Sequence, residues 1–268
     1  MRVERIPLSA TDEQVYLDAY VATWPEGFVR KAILIIPGGG YGRVCSDREG
    51  EPIAHAFLGR GYNAFVLQYT VARKSPFPCQ LIEAARAIKH IKDNADKYGI
   101  DKEQLFVIGF SAGGHLAASC GVLWKMDEIY NAVDMPYGYN KPRGVMLMYP
   151  VISPRLKRHF PSFCNLLCTD EPTEEQMAAT AIDENVDADS VPAFIMHTAD
   201  DETVDVNNSL RLAAAYSGAG VPFELHVYPH GLHGIALANS ITSGGDKRLE
   251  DERIAEWVRL ACEWADKQ

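Results

Sequence analysis

The chain has 268 residues, a length that suits one large α/β domain and is short for two. Its composition, 47% hydrophobic and 23% charged, is that of an ordinary globular protein. The net charge of −10 disfavours nucleic acid and anionic membranes as partners, because both repel an acidic protein. No apolar stretch resembles the core of a signal peptide or approaches a membrane span, which predicts a cytoplasmic protein.

Strand-like and helix-like patterns alternate along most of the chain. Alternating residues from 3 to 23 predict one or two antiparallel edge strands. Apolar runs predict buried strands over residues 31–36, 63–69, 105–109, 144–150, 192–198 and 223–228. Helical patterns cover residues 51–60, 79–98, 208–217 and 251–266, and one more helix begins directly after Ser111. This order predicts a mainly parallel sheet with helices on both faces.

The alternation breaks over residues 152–191. Pro154, Pro161 and Pro172, with an acidic run over residues 170–175, separate short helical pieces. We interpret this segment as an insertion that caps the active site, so that residues 1–268 form a single domain.

One motif organises the rest of the chain: Gly109-Phe110-Ser111-Ala112-Gly113, a G-x-S-x-G sequence between a predicted strand and a predicted helix. A turn this sharp strains the serine backbone, and the two glycines remove side chains that would collide. The Ser111 hydroxyl is then exposed above the sheet as a nucleophile. The N-terminal amides of the following helix lie close enough to stabilise a developing negative charge.

A serine nucleophile needs a base, and the base needs an orienting carboxylate, in the chain order Ser, Asp or Glu, His. The last two predicted strands run into loops that offer both. In the first loop Asp201 is favoured over Asp200, because a valine three residues later can pack back and hold the loop. In the second, His233 is favoured over His230, because it lies further from its strand and can reach the serine.

The other titratable residues are predicted to be structural. Six scattered cysteines indicate reduced, mostly buried thiols, and the lone Cys164-x3-Cys168 pair lacks the further ligands of a zinc site. No metal and no organic cofactor is predicted. The histidines assigned no role in the chemistry are His55, His90, His115, His159, His197 and His226.

A glycine-rich loop follows the strand at residues 31–36, with the sequence Pro37-Gly38-Gly39-Gly40-Tyr41-Gly42. Three consecutive glycines let the backbone approach a ligand and present bare amides. A strand end of this kind in an α/β sheet is a frequent ligand site, and a merely flexible loop is the alternative.

With these motifs placed, the sequence resembles the α/β-hydrolase superfamily over essentially its whole length. More narrowly, it is similar to small bacterial esterases related to acetyl-xylan esterases and to the hormone-sensitive-lipase-like carboxylesterases. The resemblance is carried by PGGGYG (37–42), REGEP (48–52), GFSAGGHLA (109–117), HTADDETV (197–204), GVPFELHVYPHGLHG (220–234) and the terminal helix with Trp257.

The resemblance implies an oxyanion hole formed by the amides of Gly39, Gly40 and Ala112. Lipase-type relatives carry histidine where this chain has Pro37, so it stays open which of Gly38, Gly39 and Gly40 supplies the amide.

Three further residues are candidates for contacting substrate. Tyr41 is expected to line the acyl side, and Arg48 and Glu51 to hydrogen-bond a polar alcohol such as a sugar. An exposed salt bridge is the alternative for the charged pair.

The predicted function is that of a serine carboxylesterase acting through Ser111, His233 and Asp201 and an acyl-enzyme. Short acyl esters, with acetyl groups on sugars or xylo-oligosaccharides as the best example, are implied by the resemblance alone. The alternatives are a serine peptidase or amidase of the same fold, a formamide-cleaving enzyme of tryptophan catabolism, and a non-catalytic ligand binder. The oligomeric state is open, and a homodimer is one of the alternatives.

Overall fold

The structure, a computed structural model, describes residues 1–23 and 27–268. Within these residues eight strands form one sheet, in the spatial order β1-β2-β4-β3-β5-β6-β7-β8. The first two pairings, β1 with β2 and β2 with β4, are antiparallel and the others are parallel. The strands are β1 (Arg2–Pro7), β2 (Tyr16–Val21), β3 (Arg30–Ile36), β4 (Tyr62–Gln68), β5 (Ile100–Phe110), β6 (Gly144–Met148), β7 (Ala193–Thr198) and β8 (Phe223–Tyr228).

Helices connect these strands and cover both faces of the sheet. The described helices are α1 (Ser46–Glu49), α2 (Glu51–Leu58), α3 (Cys79–Asp93), α4 (Ala95–Tyr98), α5 (Ala112–Val122), α6 (Asp127–Ala132), α7 (Pro161–Leu167), α8 (Glu174–Thr180), α9 (Ile182–Asn185), α10 (Asn207–Ala219), α11 (Glu252–Ala255) and α12 (Trp257–Ala265), with one 3-10 turn at Lys247–Leu249. None of these helices is both long and apolar enough to cross a bilayer.

The core has two layers, one on each face of the sheet. Alternate residues of β3 point to opposite layers, as in any strand buried on both sides. Leu34 packs in the layer with α3, α5 and α10, whereas Ile33 and Ile35 pack in the layer with α2 and α12. The predicted architecture, a mainly parallel sheet between helices, is confirmed.

Several element boundaries differ from the predictions. The predicted helix over residues 79–98 is divided at Asn94, whose backbone leaves the helical region and whose side-chain amide donates to the His90 carbonyl. The predicted helix over 251–266 is divided at Glu256, and the one over 51–60 ends at Leu58. Of the two N-terminal strands, only β1 lies at the sheet edge, because β2 also pairs with β4.

The segment 152–191 folds as loops and the three short helices α7 to α9. Thr173 and Gln176 form a reciprocal capping box at the start of α8. Arg155 joins the segment together, since its guanidinium bonds both Glu174 and Glu184. Whether these residues act as a cap over the chemistry, within one domain, stays a prediction.

Candidate active site

Ser111 lies at the sharp turn between β5 and α5, with φ 53° and ψ −119°. Such a conformation is costly for a residue with a side chain and persists only where the surroundings impose it. Here the Ser111 amide donates to the Met148 carbonyl at 3.0 Å, and the Val151 amide donates to the Ser111 carbonyl at 3.0 Å. The end of β6 therefore holds the serine backbone from both sides.

The two glycines of the motif are required by close backbone contacts. A Cβ added to Gly109 would lie 2.1 Å from the Gly113 carbonyl oxygen. One added to Gly113 would lie 2.2 Å from the Ile36 oxygen and 2.4 Å from the Pro37 oxygen. The start of α5 thus packs directly on the end of β3 and on the first residue of the glycine-rich loop.

The three residues predicted for the chemistry come together at the carboxyl edge of the sheet. His233 Nε2 lies 2.9 Å from Ser111 Oγ, and His233 Nδ1 lies 2.7 Å from Asp201 Oδ2. A carboxylate only accepts, so Nδ1 carries the proton and Nε2 accepts from the serine hydroxyl. The result is one continuous chain of hydrogen bonds.

Asp201 is fully buried and has a donor for each oxygen. Its Oδ1 accepts from the amides of Thr203 and Val204 at 2.8 and 2.9 Å, and its Oδ2 faces His233 and, at 3.5 Å, His197 Nε2. Burial alone raises the pKa of this carboxyl, but the hydrogen bonds from His197 and His233 outweigh it and leave the pKa well below its usual range. Asp201 is therefore a carboxylate at neutral pH.

The alternative residues in the same loops form a separate pair. Asp200 Oδ2 lies 2.9 Å from His230 Nδ1, and Asp200 Oδ1 accepts from the Gly231 amide. Both side chains are largely exposed. Asp200 thus fastens the histidine loop to the aspartate loop without contacting Ser111.

The glycine-rich loop reaches Ser111 at Gly38, where an added Cβ would lie 3.0 Å from the serine Cβ. The Gly38 amide donates to Glu49 Oε2 at 2.8 Å. The amides of Gly39 and Gly40, both at positive φ, have no acceptor in the described part of the chain. Neither has that of Ala112, the first residue of α5. These three predicted donors are therefore unused within the described residues, whereas the Gly38 amide is bound by Glu49.

Glu49 is a residue that the sequence reasoning missed. Its side chain is buried, 2% exposed, and its Oε1 accepts from the Tyr149 hydroxyl at 2.8 Å. The same hydroxyl accepts from the Ala236 amide at 3.2 Å, and the Tyr149 ring packs edge-on against His233. One carboxylate thus joins the glycine-rich loop to the histidine loop. The Tyr69 hydroxyl, which donates to the Pro37 carbonyl, braces the same glycine-rich loop from its first residue.

The three predicted substrate-contacting residues lie in different surroundings. Tyr41 is 2% exposed, and its hydroxyl donates to His115 Nδ1 at 2.8 Å, so its polar end is used inside the core. Glu51 is exposed at the start of α2, and Arg48 is half-buried beside Gly234. No salt bridge joins Arg48 to Glu51 in the described residues, and their contact with substrate stays a prediction.

Two histidines expected to be merely structural contact the site. His197 faces Asp201, as described, and is held by Ser209 Oγ at 2.7 Å. The His159 ring lies 6.1 Å from that of His233, its Nδ1 is 2.6 Å from Ser162 Oγ, and its Cε1 would lie 3.5 Å from a Cβ on Gly40. Burial and then the charge of His233 lower the pKa of His159. In the sequence, His159 was noticeable only as part of the irregular segment 152–191. No residue spacing indicated that it would contact the site.

The described residues contain no cluster of three or more His, Cys, Asp or Glu side chains suited to a metal ion. All six cysteines are free thiols; Cys164 lies in the middle of α7 and Cys168 directly follows its last residue.

Comparison with known families agrees with the geometry. The profile of the BD-FAE family matches residues 17–216, which is most of the chain. The chain belongs to the BD-FAE family. Among curated relatives, endo-1,4-beta-xylanase B of Butyrivibrio fibrisolvens is 38% identical over 85% of this chain and 37% of its own length. The acetylxylan esterase of Xylanibacter ruminicola is 27% identical over 88% of this chain and 46% of its own. This BD-FAE chain thus spans less than half of these two relatives.

Solved structures match the BD-FAE chain over its full length. An acetyl ester-xyloside bifunctional hydrolase from Caldicellulosiruptor lactoaceticus has a TM-score of 0.83 and 32% identity, covering 99% of this chain and 96% of that one. A carboxylesterase from Lactobacillus plantarum has a TM-score of 0.85 and 27% identity, covering 100% and 98%. The predicted α/β-hydrolase fold and the resemblance to esterases of that superfamily are confirmed.

Proposed function

We propose that the chain is a serine carboxylesterase that hydrolyses short acyl esters, acetyl esters above all, on sugars or xylo-oligosaccharides. The observation that carries this proposal is the hydrogen-bond chain from Ser111 Oγ through His233 to Asp201, with links of 2.9 and 2.7 Å. The 2.9 Å link is within the range for proton transfer from the serine to the histidine, and the 2.7 Å link is within the range for a carboxylate that orients that histidine.

In the proposed reaction, Ser111 Oγ attacks the ester carbonyl while its proton moves to His233 Nε2. The resulting imidazolium lies against the buried Asp201 carboxylate, which stabilises its charge. His233 then gives that proton to the departing alcohol oxygen, which leaves the acyl group on Ser111. Water, deprotonated by His233, then attacks the acyl carbonyl, and His233 gives that proton to Ser111 Oγ as the bond between the serine and the acyl group breaks and the acid leaves.

The oxyanion formed in both steps needs donors that are free beforehand. The amides of Gly39, Gly40 and Ala112 meet this condition, because no described acceptor competes for them. Gly38 does not, because Glu49 already takes its amide proton. Preorganised donors of this kind contribute roughly 3–4 kcal/mol each to transition-state stabilisation. We therefore assign the oxyanion to Gly39, Gly40 and Ala112.

The substrate class is supported by the names of relatives. An acetylxylan esterase and an acetyl ester-xyloside bifunctional hydrolase are among the similar proteins, and their names combine acetyl esters with xylan or xylosides.

The test is acetate release from acetylated xylo-oligosaccharides and from 4-nitrophenyl acetate, measured for the native protein, Ser111→Ala and Ser217→Ala. Ser217 is an exposed serine of α10 and is the matched control. Removing the nucleophile should lower turnover by roughly 10⁴-fold or more, whereas the control should retain it. Amide and formamide substrates in the same panel separate the esterase from a peptidase or formamidase.

Two results would contradict the proposal. Activity that survives in Ser111→Ala would remove the serine mechanism. Release of 4-nitrophenol without release of acetate from any sugar would keep the mechanism and exclude the sugar ester as substrate.

A further inference from the structure

A surface cavity of about 450 Å³ lies beside the candidate active site, between the glycine-rich loop and the chain that follows the histidine loop. One wall belongs to residues 43–48, which directly follow the glycines. The other wall is formed by residues 241–244. The cavity is therefore continuous with the loop that carries the proposed oxyanion donors.

Arg48 lines this cavity and also lies beside the loop that carries His233. Its guanidinium lies against the backbone of Gly234, where an added Cβ would be 3.1 Å from Nη2 and 3.4 Å from Cζ. Gly234 directly follows His233. The side chain is half-buried, yet within the described residues its five N–H donors make no hydrogen bond or ion pair with protein. A half-buried guanidinium with unused donors is a ready partner for an anion.

A second arginine faces the same space. The Arg43 amide donates to the Gly39 carbonyl at 3.2 Å, which places Arg43 at the end of the turn that begins with the glycines. Burial and the charge of Glu49 raise the pKa of the Cys45 thiol, whereas the charges of Arg43 and Arg48 both lower it. Arg43 is exposed and its guanidinium hydrogen-bonds the Cys45 thiol, and both arginines line this wall of the cavity.

Negative groups near the cavity do not occupy these donors. Asp47 also lines the wall, but it is exposed and pairs with neither arginine. Glu49 lies behind the wall, and its two oxygens are taken by the Gly38 amide and the Tyr149 hydroxyl. The cavity thus offers unused cationic donors in a chain whose net charge is −10.

We propose that this cavity binds the carboxylate of an acidic sugar, a uronate, carried by the same molecule whose ester reaches Ser111. The inference rests on the proposed esterase function and names the substrate class within it. Arg48 and Arg43 bind the carboxylate, and the apolar side chains of Val44 and Ile241 on the rim pack against the sugar ring.

Binding is tested without turnover. Methyl glucuronide, which keeps its C6 carboxylate, and the neutral methyl glucoside are titrated calorimetrically into the Ser111→Ala protein at low and at high salt. We expect the uronate to bind at least about tenfold more tightly, with the difference reduced by salt and removed in Arg43→Gln/Arg48→Gln. Equal affinity for the two sugars, or uronate binding unaffected by the double substitution, would overturn the proposal.

Specificity is tested in the catalytically intact protein. The ratio of kcat/KM for an acetylated xylo-oligosaccharide with a uronate branch to that for its neutral counterpart should fall about tenfold in Arg48→Gln, mainly through KM. Arg48→Lys should restore part of it, because lysine keeps the charge but not the planar pair of donors. Arg86→Gln, at a half-buried arginine of α3 outside the cavity, should leave the ratio unchanged.

An unchanged ratio in Arg48→Gln would overturn the proposal while leaving the esterase intact. A protein inactive on every ester would instead contradict the proposed function. The titration would still decide whether the cavity binds a uronate.

Discussion

Replacing Gly113 by alanine tests whether the tight contact beneath Ser111 is required. The added Cβ would lie 2.2 Å from the Ile36 oxygen, 1.2 Å short of the 3.4 Å at which ordinary contact begins, and 2.4 Å from the Pro37 oxygen. Both neighbours are backbone atoms at the end of a central strand and cannot move aside as a side chain would. Overpacking costs about 1–3 kcal/mol where side chains yield, so we expect a loss of about 3 kcal/mol or more.

The assay is urea unfolding of the native protein and the variant, with the midpoint and the slope of the transition both compared. Turnover of 4-nitrophenyl acetate is measured alongside. A displacement of about 1 Å at the elbow should lower kcat/KM by roughly 100-fold. The matched control is Gly218→Ala in α10, where an added Cβ meets no atom within 4 Å. That variant should gain about 0.5–1 kcal/mol from helix propensity and keep its activity.

Unfolding of Gly113→Ala at the native midpoint, with native turnover, would show that the contact beneath Ser111 does not require glycine. Equal destabilisation of Gly218→Ala and Gly113→Ala would also contradict the prediction, since the loss would then come from alanine replacement in general and not from the contact with β3.

Three further predictions concern buried or half-buried groups near the site. Glu49→Leu leaves the Gly38 amide and the Tyr149 hydroxyl buried without an acceptor, so urea unfolding should show a free energy of unfolding lower by roughly 2–5 kcal/mol. Glu49→Gln keeps one acceptor oxygen and should lose less stability. An equal loss in both variants would contradict this prediction. His159→Ala should lower kcat/KM for sugar esters several-fold more than for 4-nitrophenyl acetate, because the ring lies beside His233 and Gly40 where a bulky alcohol must pass; equal effects on both substrates would count against it. Burial lowers the pKa of His115 from 6.5 to about 4, so its contribution to stability is complete above pH 6.5. As pH falls from 6.5 to about 4, His115 binds a proton in the unfolded chain but stays neutral in the folded one. The free energy of unfolding therefore decreases by up to about 3 kcal/mol. His115→Gln should flatten that part of the stability profile, and an unchanged slope would be the contrary result.

The order of strands and helices was accessible from the sequence because the parallel strands are buried on both faces and therefore form continuous apolar runs. Within β5, residues 105–110 form such an apolar run. Residues 101–104 are polar, so the prediction left them out, whereas the structure begins β5 at Ile100. The break at Asn94 was missed because amphipathic spacing continues through it, and the departure of its backbone from the helical region leaves no periodic signal in the sequence.

Some residues of the candidate site were likewise predictable from the sequence, and others were not. Ser111 directly follows β5, and Asp201 and His233 lie in the loops after β7 and β8, so topology predicted that they would meet. Glu49 and Tyr149 are separated by 100 positions, and their contact depends on two loops approaching each other, which no local pattern encodes. His159 lies in a segment without periodicity, so its position over His233 was beyond prediction.

The segment 152–191 contacts the site at two places, the glycine-rich loop and the loop that carries Asp201. Asn165 donates to the Gly40 carbonyl at 2.9 Å, and Arg158 donates to the Asp201 carbonyl at 2.9 Å. Selection for a new substrate would act first on this irregular segment, since it tolerates substitution and insertion best. Each such change would be transmitted to an oxyanion donor loop and to the loop of the orienting carboxylate. A chimera that exchanges only this segment with a relative is therefore expected to change substrate range and catalytic rate together.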